Sequence, residues 1–446
     1  MGLMDVKPWV VVHTALCIHR YLRLLVHCIS HWTYKSILPK ADEPKYQARD
    51  VTVIIPTIHN HFQDLRCSLE SILACRPAKL ILVTTSNRYE ALQQMVETLR
   101  PPKSDYPTEI EVLHIDKANK RLQICKALRE DHVQTQITIL ADDDVEWPQT
   151  LMPWILAPFE DDKMGGAGTC QRVKRVDGNL KTLVYNWLGA AYIERRNFEI
   201  SATHNIDGGT SCMSGRTGAY RTEILKDCGF LDGFENEKWG EHTLYADDDN
   251  FVTRWLVAHQ WKTWVQYDPK CEIETTLETS TKFLYQCSRW ARSNWRSNWK
   301  SLVRERYVLT QQPWCTYALH LATFTSLAFV FDPLILFSCW RATEHWDPGD
   351  RYTLLIAEIL FMFCFSKVVK LIGLFHKNPR DISYLPVSIL FGYFHGFIKL
   401  HALFTLSTTF WGSREDSDEH NKPPQQNQPA RKKAEKPGFL STLYRI

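Results

Sequence analysis

The hydrophobic pattern divides the chain into two parts. From about residue 50 to residue 310, short apolar runs alternate with charged segments, whereas the long apolar runs lie after residue 313. Short apolar runs between amphipathic stretches are typical of a soluble α/β domain, and long apolar runs are typical of membrane helices. The pattern therefore predicts a soluble domain followed by a membrane region.

The first part alternates predicted strands with predicted helices. Residues 51–55 form a continuous β-branched run that ends at Pro56, which is typical of a strand buried on both faces of a parallel sheet. Further strands are predicted at residues 80–83, 111–115 and 138–140, and helices at residues 60–75, 88–99 and 120–130. This order predicts a doubly wound α/β domain, whose ligands bind beyond the carboxyl ends of the strands.

Three apolar stretches in the second part are candidates for membrane-associated helices. Residues 314–340 carry one formal charge, Asp332, and are long enough to cross a hydrocarbon layer of about 30 Å. Residues 352–375 form a second candidate span with lysines near one end. Residues 382–411 contain Pro, Gly, His and Lys, which favours an interfacial helix.

The two ends of the chain have different compositions. Residues 9–30 are apolar but interrupted by His and Arg, so this stretch either lies on the membrane surface or spans it weakly. Basic residues between 35 and 49, and again between 370 and 380, favour a cytoplasmic position for the soluble domain. Residues 415–437 are dense in Pro, Gln, Asn and charge and are predicted to be disordered.

Charge and cysteine content exclude several classes of protein. Over 446 residues the formal net charge is +3, too small for a nucleic-acid-binding surface. The 13 cysteines include no CxxC pair and no Cys/His cluster at zinc-finger spacing. Neither a zinc knuckle nor a disulfide scaffold is therefore predicted.

Two acidic clusters are candidates for chemistry. Asp142, Asp143 and Asp144 follow the fourth predicted strand, and adjacent carboxylates at a strand end are typical of a Mg²⁺ or Mn²⁺ site. The alternative is a solvated acidic turn. Asp248 and Asp249 open a predicted helix, where acidic residues also serve as ordinary caps.

A third motif combines an amide, a cation and an indole on one helical face. Gln286, Arg289 and Trp290 are spaced i, i+3 and i+4. Such a set can hold a diphosphate beside a sugar ring, with the indole against the C–H groups of the sugar. Downstream, Arg296 and Lys300 continue a basic, Trp-rich helix that is typical of the membrane surface.

These motifs, taken in order, resemble those of membrane-integrated family-2 glycosyltransferases, which include the hyaluronan, chitin and cellulose synthases. Local stretches at 212–215, 248–253 and 411–414 resemble hyaluronan synthase motifs, most of all those of the fungal hyaluronan-synthase-like group, also labelled capsular polysaccharide synthases. The resemblance covers about residues 45 to 415. It implies a nucleotide-sugar-binding domain of the GT-A type, followed by interfacial and transmembrane α-helices.

The resemblance also implies a role for each matching residue. Asp249 would be the general base, with Asp248 beside it, and Asp142 and Asp144 would hold Mg²⁺ or Mn²⁺ on the donor diphosphate. The implied donor-binding residues are Pro56, Thr57, Thr85, Lys120, Arg121, Asp142, Gln286, Arg289 and Arg414. The implied acceptor-binding residues are Ser214, Gly215, Trp290 and Trp411, near Tyr220 and Arg221. Without the resemblance, each of these motifs has an ordinary structural interpretation. Lys120 and Arg121 would be the solvated start of a helix, the stretch at 214–221 would be a turn followed by a helix start, and the stretch at 411–414 would be a helix end.

One position departs from the family pattern. Thr85 stands where such enzymes usually carry an Asp that contacts the nucleotide base. Threonine can still hydrogen-bond uracil, so a UDP-sugar remains the expected donor. The rival interpretations are transfer of a single sugar to a lipid, as in ceramide glucosyltransferases, and a non-catalytic membrane scaffold.

The predicted organisation has five parts. Residues 1–45 form an N-terminal membrane-associated or transmembrane helix, 46–285 a cytoplasmic glycosyltransferase domain, 286–313 an amphipathic interfacial helix, 314–411 transmembrane and interfacial helices, and 412–446 a disordered tail. The expected partners are a UDP-sugar, a glycan or lipid acceptor and the lipid bilayer, without nucleic acid. The expected location is the plasma membrane, with Golgi or ER membrane as alternatives, and the oligomeric state is left open.

Overall fold

The computed structural model of the protein describes residues 8–59, 62–99 and 107–409. Its strands are β1 (Val51–Pro56), β2 (Lys79–Thr85), β3 (Glu109–Ile115), β4 (Ile137–Ala141), β5 (Val145–Glu146), β6 (Met164–Val173), β7 (Thr217–Arg221), β8 (Lys238–Trp239), β9 (His242–Thr243), β10 (Lys262–Gln266) and β11 (Glu272–Thr275). Its helices are α1 (Pro8–Thr33), α2 (Phe62–Ala74), α3 (Tyr89–Glu97), α4 (Lys120–Arg129), α5 (Leu151–Leu156), α6 (Leu180–Asp207), α7 (Thr222–Leu225), α8 (Cys228–Glu235), α9 (Asp248–Ala258), α10 (Lys282–Trp299), α11 (Tyr307–Gln311), α12 (Pro313–Cys315), α13 (Ala322–Thr325), α14 (Ala328–Ala342), α15 (Pro348–Leu360), α16 (Ser366–Val368), α17 (Ile372–Lys377) and α18 (Leu385–Phe404).

The main sheet runs in the order β3-β2-β1-β4-β7-β6-β11-β5, and β10 also pairs with β6. The first four strands are parallel, as the alternating pattern predicts. Strand β7 then runs antiparallel to both β4 and β6. The alternative interpretation of the stretch 214–221, a turn followed by a helix start, agrees with the structure in part. Residues 215–216 form a turn and Arg221 directly precedes α7, but Tyr220 and Arg221 themselves lie in β7.

The parallel strands are buried on both faces, which explains their continuous apolar runs. In β1, Val53 and Ile55 pack on one side of the sheet in the same cluster as Leu69 of α2. Ile54 points to the other side, into the cluster that contains Ile124 of α4. Burial on both faces fixes the register of each strand, and so fixes which residues emerge beyond its carboxyl end.

Helix α6 is a long element that the sequence analysis missed. Asn179 caps its start by accepting a hydrogen bond from the backbone N–H of Thr182, and Gly208 ends it in the left-handed conformation at a φ of 71°. Asn before a helix and Gly after it are ordinary boundary signals. The helix packs on strand β6 and brings its inner face to the cavity described below.

The helical part differs from the predicted spans. Among the described residues, two helices, Pro8–Thr33 and Pro379–Phe404, are long and apolar enough to cross a membrane. The stretch predicted as one straight span at 314–340 is instead a pair, Pro313–Thr325 and Ala328–Ala342, bent by 89° at a short break, so the pair is a third span only if both halves count as one. The second candidate, 352–375, is not among these helices, and it consists of short helical pieces joined by π and 3-10 turns.

The segment after residue 381 also differs from its prediction. It was expected to be interfacial, yet its described part belongs to a helix long enough to span. Gly396 packs against the Phe329 ring, where an added Cβ would lie 2.5 Å from Phe329 Cδ1. Glycine here permits close packing of α18 and α14. The tail from residue 410 onward lies outside the described residues.

Helix α10 is not a free basic face. Arg296 and Lys300, predicted on a membrane-surface stripe, are buried in ion pairs with Asp247 and Glu237. Trp295 donates its indole N–H to the carbonyl of Lys399 in α18 at 2.9 Å. The helix therefore connects the sheet domain to the apolar helices.

Candidate active site

The two acidic clusters converge on one lysine. Lys120 is the first residue of α4, and its Nζ lies 2.7 Å from Asp142 Oδ1 and 2.8 Å from Asp248 Oδ2. The helix start is fixed by Asn119, whose side chain accepts hydrogen bonds from the backbone N–H groups of Arg121 and Leu122. Burial lowers the pKa of Lys120, but the two carboxylates outweigh it and raise the pKa well above its usual value. The lysine is therefore a fixed cation at the centre of the site.

Asp248 and Asp249 open helix α9. The preceding residue, Asp247, adopts the left-handed conformation at a φ of 66°, unusual for a non-glycine residue, and bidentate hydrogen bonds from Arg296 at 2.7 and 3.0 Å hold its carboxylate. Ser293 donates a further hydrogen bond to Asp247. A strained turn held by buried partners is a common feature of functional sites.

The neighbouring carboxylates Asp248 and Asp249 differ in their surroundings. Burial and the adjacent charge of Asp248 raise the pKa of Asp249. Burial also acts on Asp248, but Lys120 outweighs it and lowers the pKa of that carboxyl. Asp249 Oδ2 accepts a hydrogen bond from the backbone N–H of Gly215 at 3.3 Å. The pair thus combines a fixed anion with a carboxylate whose pKa is moved toward the range of a general base.

The carboxylates of the acidic turn after β4 lie on two different sides. The middle residue, Asp143, is buried and accepts a hydrogen bond of 2.6 Å from Thr57 Oγ1. Asp142 and Asp144 lie on the other side, where both are close enough to Arg216 to act on its guanidinium electrostatically. Asp143 and Asp144 form the turn between β4 and β5, and this turn directs the middle carboxylate away from its two neighbours.

Asp142 and Asp144 fit a divalent cation in their chemistry. Both are partly exposed carboxylates at a strand end, and Mg²⁺ is commonly held by one or two carboxylates together with substrate phosphates. Asp142 already faces the cation of Lys120, which shows that this edge of the sheet stabilises positive charge. The residues present therefore fit the expected ion.

The ends of β1 and β2 are held together by a residue that the sequence analysis missed. Gln123 of α4 donates hydrogen bonds from Nε2 to the carbonyls of Val83 at 2.6 Å and Thr57 at 3.3 Å. Thr57 also donates its backbone N–H to Val83 at 2.9 Å. Pro56 borders a small recess that also contains Lys120 and Asp249. The predicted Pro56 and Thr57 thus lie next to the carboxylates.

Thr85 lies at the carboxyl end of β2, as predicted, but its hydroxyl is engaged locally. It donates to Asn87 Oδ1 at 2.6 Å and accepts from Arg88 at 3.4 Å. Thr85 is 5% exposed. Any contact of this residue with a nucleotide base would have to compete with these bonds.

The loop before β7 lies directly beside the carboxylates. The backbone N–H of Asp142 donates to the carbonyl of Arg216 at 3.0 Å, which places Ser214 and Gly215 at the same edge. A Cβ at Gly215 would lie 3.2 Å from Lys120 Nζ and 3.4 Å from Asp249 Cβ. Glycine at this position therefore permits the close approach of the loop.

Helix α10 brings two of its three motif residues to the same cavity. Arg289 and Trp290 line it, and the Trp290 ring stacks on Tyr192 of α6 with centroids 4.9 Å apart. The Arg216 guanidinium lies over the Trp290 ring, 5.6 Å from its centroid. Gln286 does not line the cavity, and its Oε1 is buried without a hydrogen-bond partner among the described residues.

Arg121 has a different place from the one the resemblance implied. Its side chain is 1% exposed and donates to Glu237 Oε2 at 2.7 Å and to the carbonyls of Phe234 and Ala246. Because every donor direction points into the protein, Arg121 supports the loop before α9. The expected contact of Arg121 with a diphosphate does not agree with this position.

Glu237 is the centre of a buried charge network beneath the site. Its carboxylate pairs with Arg121, Arg254 and Lys300. Burial raises the pKa of Glu237, but the three cations outweigh it and lower the pKa to about 2. Arg254 also donates to Ser297 and Glu305, so the network links α4, α9 and α10.

One cavity of about 510 Å³ joins these groups to the apolar helices. At one end it contains Lys120, Asp142, Asp248, Asp249, Arg289 and Trp290. At the other end it is lined by Arg20, Arg23, Lys367, Lys370, His395 and Lys399. The candidate site is therefore open toward the space between α1 and α18.

Two predicted residues, Trp411 and Arg414, lie outside the described residues, and their placement stays a prediction. The sequence analysis missed Tyr192, Arg196 and Arg216, which also line the cavity. The sequence contains a signal for each of these three residues. Tyr192 and Arg196 are spaced i, i+4 on a long helix, and Arg216 directly follows the Ser214-Gly215 motif.

Comparisons with known proteins agree with this geometry. Residues 48–293 match the family described as "Glycosyltransferase like family 2". The chain is 65% identical over 411 residues to a type 2 glycosyltransferase of Gibberella zeae, covering 92% of this chain and 76% of that protein. It is 63% identical over 412 residues to one of Pyricularia oryzae, covering 92% and 83%.

The likeness to hyaluronan synthases is more distant. A hyaluronan synthase of Streptococcus pyogenes is 20% identical over 376 residues, covering 82% of this chain and 83% of that protein. In fold, the chain is similar to a mannosyltransferase of Pyrobaculum calidifontis solved in complex with GDP-Man and Mn²⁺, with a TM-score of 0.53 and 16% identity over 85% of this chain and 97% of that one. The predicted α/β fold of the GT-A type, followed by apolar helices, is confirmed.

Proposed function

The chain belongs to glycosyltransferase family 2, and we propose that it transfers a sugar from a UDP-sugar to a growing glycan with inversion, as a membrane polysaccharide synthase. The single observation that carries this proposal is the convergence of Asp142, Asp248 and Asp249 around Lys120 at one end of a cavity. These carboxylates are far apart in sequence and meet at the carboxyl ends of the parallel strands, where such sheets bind their ligands.

Asp249 is the general base of the proposed reaction. Its carboxylate accepts the proton of an acceptor hydroxyl, and the resulting oxygen nucleophile attacks the anomeric carbon from the side opposite the diphosphate. The new C–O bond forms as the bond to the diphosphate oxygen breaks, and the diphosphate leaves with the electron pair. Displacement from the opposite side converts an α-linked donor into a β-glycoside.

The cations of the cavity stabilise the departing diphosphate. Lys120 and Arg289 are fixed beside the carboxylates, and charge-assisted hydrogen bonds to phosphate oxygens are among the stronger polar contacts in proteins. A Mg²⁺ or Mn²⁺ ion held by Asp142 and Asp144 would supply further neutralisation of this charge. The burial that lowers the pKa of Arg216 and Arg289 also strengthens their interaction with an anion.

The base of the donor is proposed to lie over the ends of β1 and β2. Thr57 is fixed there by Asp143 and Val83, and Gln123 holds both strand ends in place. Pro56 supplies an apolar surface at the same edge. Thr85 is proposed to contribute to base binding only after its bond to Asn87 is exchanged.

The acceptor is proposed to approach from the helical end of the cavity. Ser214, Gly215 and Trp290 line the space between the carboxylates and the apolar helices, so a sugar stacked on the Trp290 indole would present a hydroxyl toward Asp249. This path suits a glycan chain held at the membrane. It suits a lipid hydroxyl as well, so transfer of a single sugar to a lipid is the second candidate function.

The proposed setting is a multi-pass membrane protein with its catalytic domain in the cytoplasm, at the plasma membrane. Helices α1 and Pro379–Phe404 have the length and composition for spans. Fractionation of cells that express the tagged chain tests this location against the Golgi and ER membranes.

The decisive experiment measures UDP release by the full chain in detergent or nanodiscs with UDP-glucose, UDP-N-acetylglucosamine, UDP-glucuronate and UDP-galactose. We expect release with one donor, loss on chelation and recovery with Mn²⁺ or Mg²⁺. Asp249→Asn should lower the rate by about 10²–10⁴-fold, the range for removal of a general base, while donor binding persists. Asp131→Asn, an exposed carboxylate, is the matched control.

Product size then separates the two candidate functions. Polymer that a β-glycan hydrolase degrades supports the synthase. A single glycolipid band supports transfer to a lipid acceptor and excludes polymer synthesis. No release with any donor from a folded chain, or an Asp249→Asn variant with the rate of the unchanged protein, would overturn the proposed function.

A further inference from the structure

A second polar cluster lies in the apolar helices, away from the carboxylates. His13 of α1, Cys339 of α14 and Glu358 of α15 each place one nitrogen, sulfur or oxygen atom within 4.8 Å of the others. Cys17, one helical turn after His13, has its Sγ 3.6 Å from His13 Nε2 and 3.7 Å from Glu358 Oε1. His13 Nε2 and Glu358 Oε1 are 3.7 Å apart. We call these four residues the distal cluster.

The position of the proton on His13 follows from its neighbour Ser338. Ser338 donates its hydroxyl hydrogen to the carbonyl of Ile335 at 2.8 Å. The same oxygen is 3.1 Å from His13 Nδ1, and with its hydrogen on the Ile335 carbonyl it accepts a hydrogen bond from that nitrogen. In the neutral ring Nε2 then carries a lone pair directed at the cluster. Metal-binding histidines are oriented in this way, with the second nitrogen held by another group.

The carboxylate of Glu358 is poorly satisfied by the protein. Its Oε1 faces the Nε2 lone pair at 3.7 Å, too far for a hydrogen bond. Its Oε2 is buried and accepts no hydrogen bond within the described parts of the chain. The donor to Oε1 is the thiol of Cys17, whose Sγ lies 3.7 Å away, and a carboxylate whose partner is a weak thiol donor is costly to bury. A neutral His13 adds no donor, because it presents a lone pair to the same oxygen. The cluster is therefore arranged to face a cation.

We propose that the distal cluster binds a Zn²⁺ ion through His13 Nε2, Cys17 Sγ, Cys339 Sγ and one oxygen of Glu358. Zinc bonds are about 2.0–2.2 Å long to nitrogen and oxygen and about 2.3 Å to sulfur, so tetrahedral ligand atoms lie roughly 3.3–3.8 Å apart. The separations among His13, Cys17 and Glu358, which are 3.6, 3.7 and 3.7 Å, fall within this range. Cys339 lies within 4.8 Å of the ligand atoms of His13 and Glu358, so it approaches the ion by a small rotation of its side chain. A mixed sulfur, nitrogen and oxygen set favours zinc, whereas Mg²⁺ and Mn²⁺ prefer oxygen ligands.

The ion would fasten α1 to α14 and α15, which follow it by about 300 residues in the sequence. Both thiols lose their protons to solvent when they bind as thiolates, which couples zinc binding to pH. Helix α1 ends at Thr33, beside the sheet domain, where Tyr34 donates to the carbonyl of Val265 at 2.7 Å. His13 lies 20 residues earlier, about 30 Å along the helix. The zinc is therefore structural and separate from the cation proposed at Asp142 and Asp144.

The test measures metal content of the full chain purified in detergent after growth with added zinc. We expect about one zinc per chain in the unchanged protein and in Asp142→Asn, which perturbs the catalytic carboxylates. Cys339→Ser and His13→Ala should lose most of this zinc. Cys364→Ser, an exposed cysteine outside the cluster, should retain it. Less than about one zinc in five chains of the unchanged protein, or as much zinc in His13→Ala and Cys339→Ser as in the unchanged protein, would overturn the proposal.

A second measurement covers variants that fail to fold. Cobalt added to the metal-free unchanged protein should give thiolate-to-cobalt charge-transfer absorption, and a chelator should remove it. The same chelator should make Cys17 and Cys339 available to an alkylating reagent, as mass spectrometry of the peptides reports. Absent thiolate absorption, or alkylation of both thiols at equal rates with and without zinc, contradicts the site. Neither readout depends on sugar transfer.

Discussion

Gly215 donates its backbone N–H to Asp249 Oδ2 at 3.3 Å, and a Cβ on this glycine would lie 3.4 Å from Asp249 Cβ. The loop before β7 and the start of α9 thus touch through a residue without a side chain. This contact holds the carboxylate of the proposed base while leaving space beside it. It also decides how the site should respond to small changes.

Gly215→Ala should impair transfer without unfolding the protein. The added methyl group would lie 3.2 Å from Lys120 Nζ and 3.5 Å from Asp248 Oδ2, so it would displace the charged groups by a few tenths of an ångström. We expect kcat/KM to fall by about tenfold or more, since small misplacements of reacting groups are costly. Gly392→Ala is the control, because a Cβ there meets nothing within 4 Å. An active Gly215→Ala variant contradicts the close approach.

Lys120→Gln should weaken donor binding. The substitution leaves Asp142 and Asp248 without their shared cation, so both carboxylates repel the diphosphate. Loss of charge-assisted hydrogen bonds worth about 1.5–3 kcal/mol should raise the donor Kd by roughly 10- to 100-fold. Lys126→Gln, at the surface of the same helix, should leave the Kd unchanged. Calorimetric titration with UDP measures the Kd of both variants and of the unchanged protein. An unchanged Kd in Lys120→Gln would show that Lys120 does not bind the donor.

The acid limb of the pH profile should depend on Asp248. Asp249 must be unprotonated to act as a base, and burial together with Asp248 raises the pKa of Asp249. Activity should therefore fall as the pH falls through this raised pKa. Asp248→Asn removes the neighbouring negative charge, so the limb of kcat/KM should move to lower pH, even where the maximal rate is reduced. A limb that stays in place or moves upward would show that another group limits the reaction.

Glu237→Gln should destabilise the fold. Three buried cations would lose their shared carboxylate, and breaking a buried ion pair costs about 3–5 kcal/mol. Glu235→Gln breaks a pair at the surface with Arg129 and should cost about 1 kcal/mol or less. Thermal unfolding in one detergent compares the two. Equal unfolding midpoints for the two variants would mean that the buried charge network around Glu237 contributes little to stability.

The same carboxylate makes a pH-dependent contribution to stability. The pKa of Glu237 is lowered from 4.5 to about 2 by its cations, against the effect of burial. A lowered pKa stabilises the folded state above the unfolded value and loses this contribution as the pH falls. The difference in unfolding free energy between the unchanged protein and Glu237→Gln should therefore shrink between about pH 4.5 and pH 2. A difference that does not change over this interval contradicts the shift.

Much of the fold could be predicted because its strands are simple in pattern. Val51 to Ile55 are buried on both faces, so a continuous apolar run identifies the strand without knowledge of its neighbours. The antiparallel β7 could not be recognised in this way, since Gly218 and Arg221 interrupt its apolar residues. Its position depends on pairing with β4 and β6, which are far away in the sequence.

The candidate site was predictable at its carboxylates and less so at its cations. A carboxylate at a strand end points to the functional edge, as Asp142 does. A cation can be catalytic or structural, and the sequence treats Lys120 and Arg121 alike. Consecutive residues on a helix differ in direction by about 100°, so one faces Asp142 while the other faces Glu237. Only the packing of α4 decides which is which.

The apolar helices were harder to predict for a different reason. Hydropathy measures how much apolar surface a stretch has, but it does not report a break. Residues 314–340 are apolar enough to span, yet the chain turns by 89° near Ser326. The distal cluster was missed for a related reason, because its residues come from three helices, and the pair His13 and Cys17 at i and i+4 does not identify a site without the other two helices.

The acidic turn at Asp142, Asp143 and Asp144 has a consequence for comparing relatives. The three aspartates have two different roles, because the middle carboxylate accepts a hydrogen bond from Thr57, whereas Asp142 lines the cavity and Asp144 lies near Arg216. An alignment displaced by one position would match the anchoring aspartate to one of its neighbours and still score two of the three aspartates as identical. Homologues in this region should therefore be superposed on the partner of the anchor, the threonine that follows Pro56, rather than on the aspartates themselves.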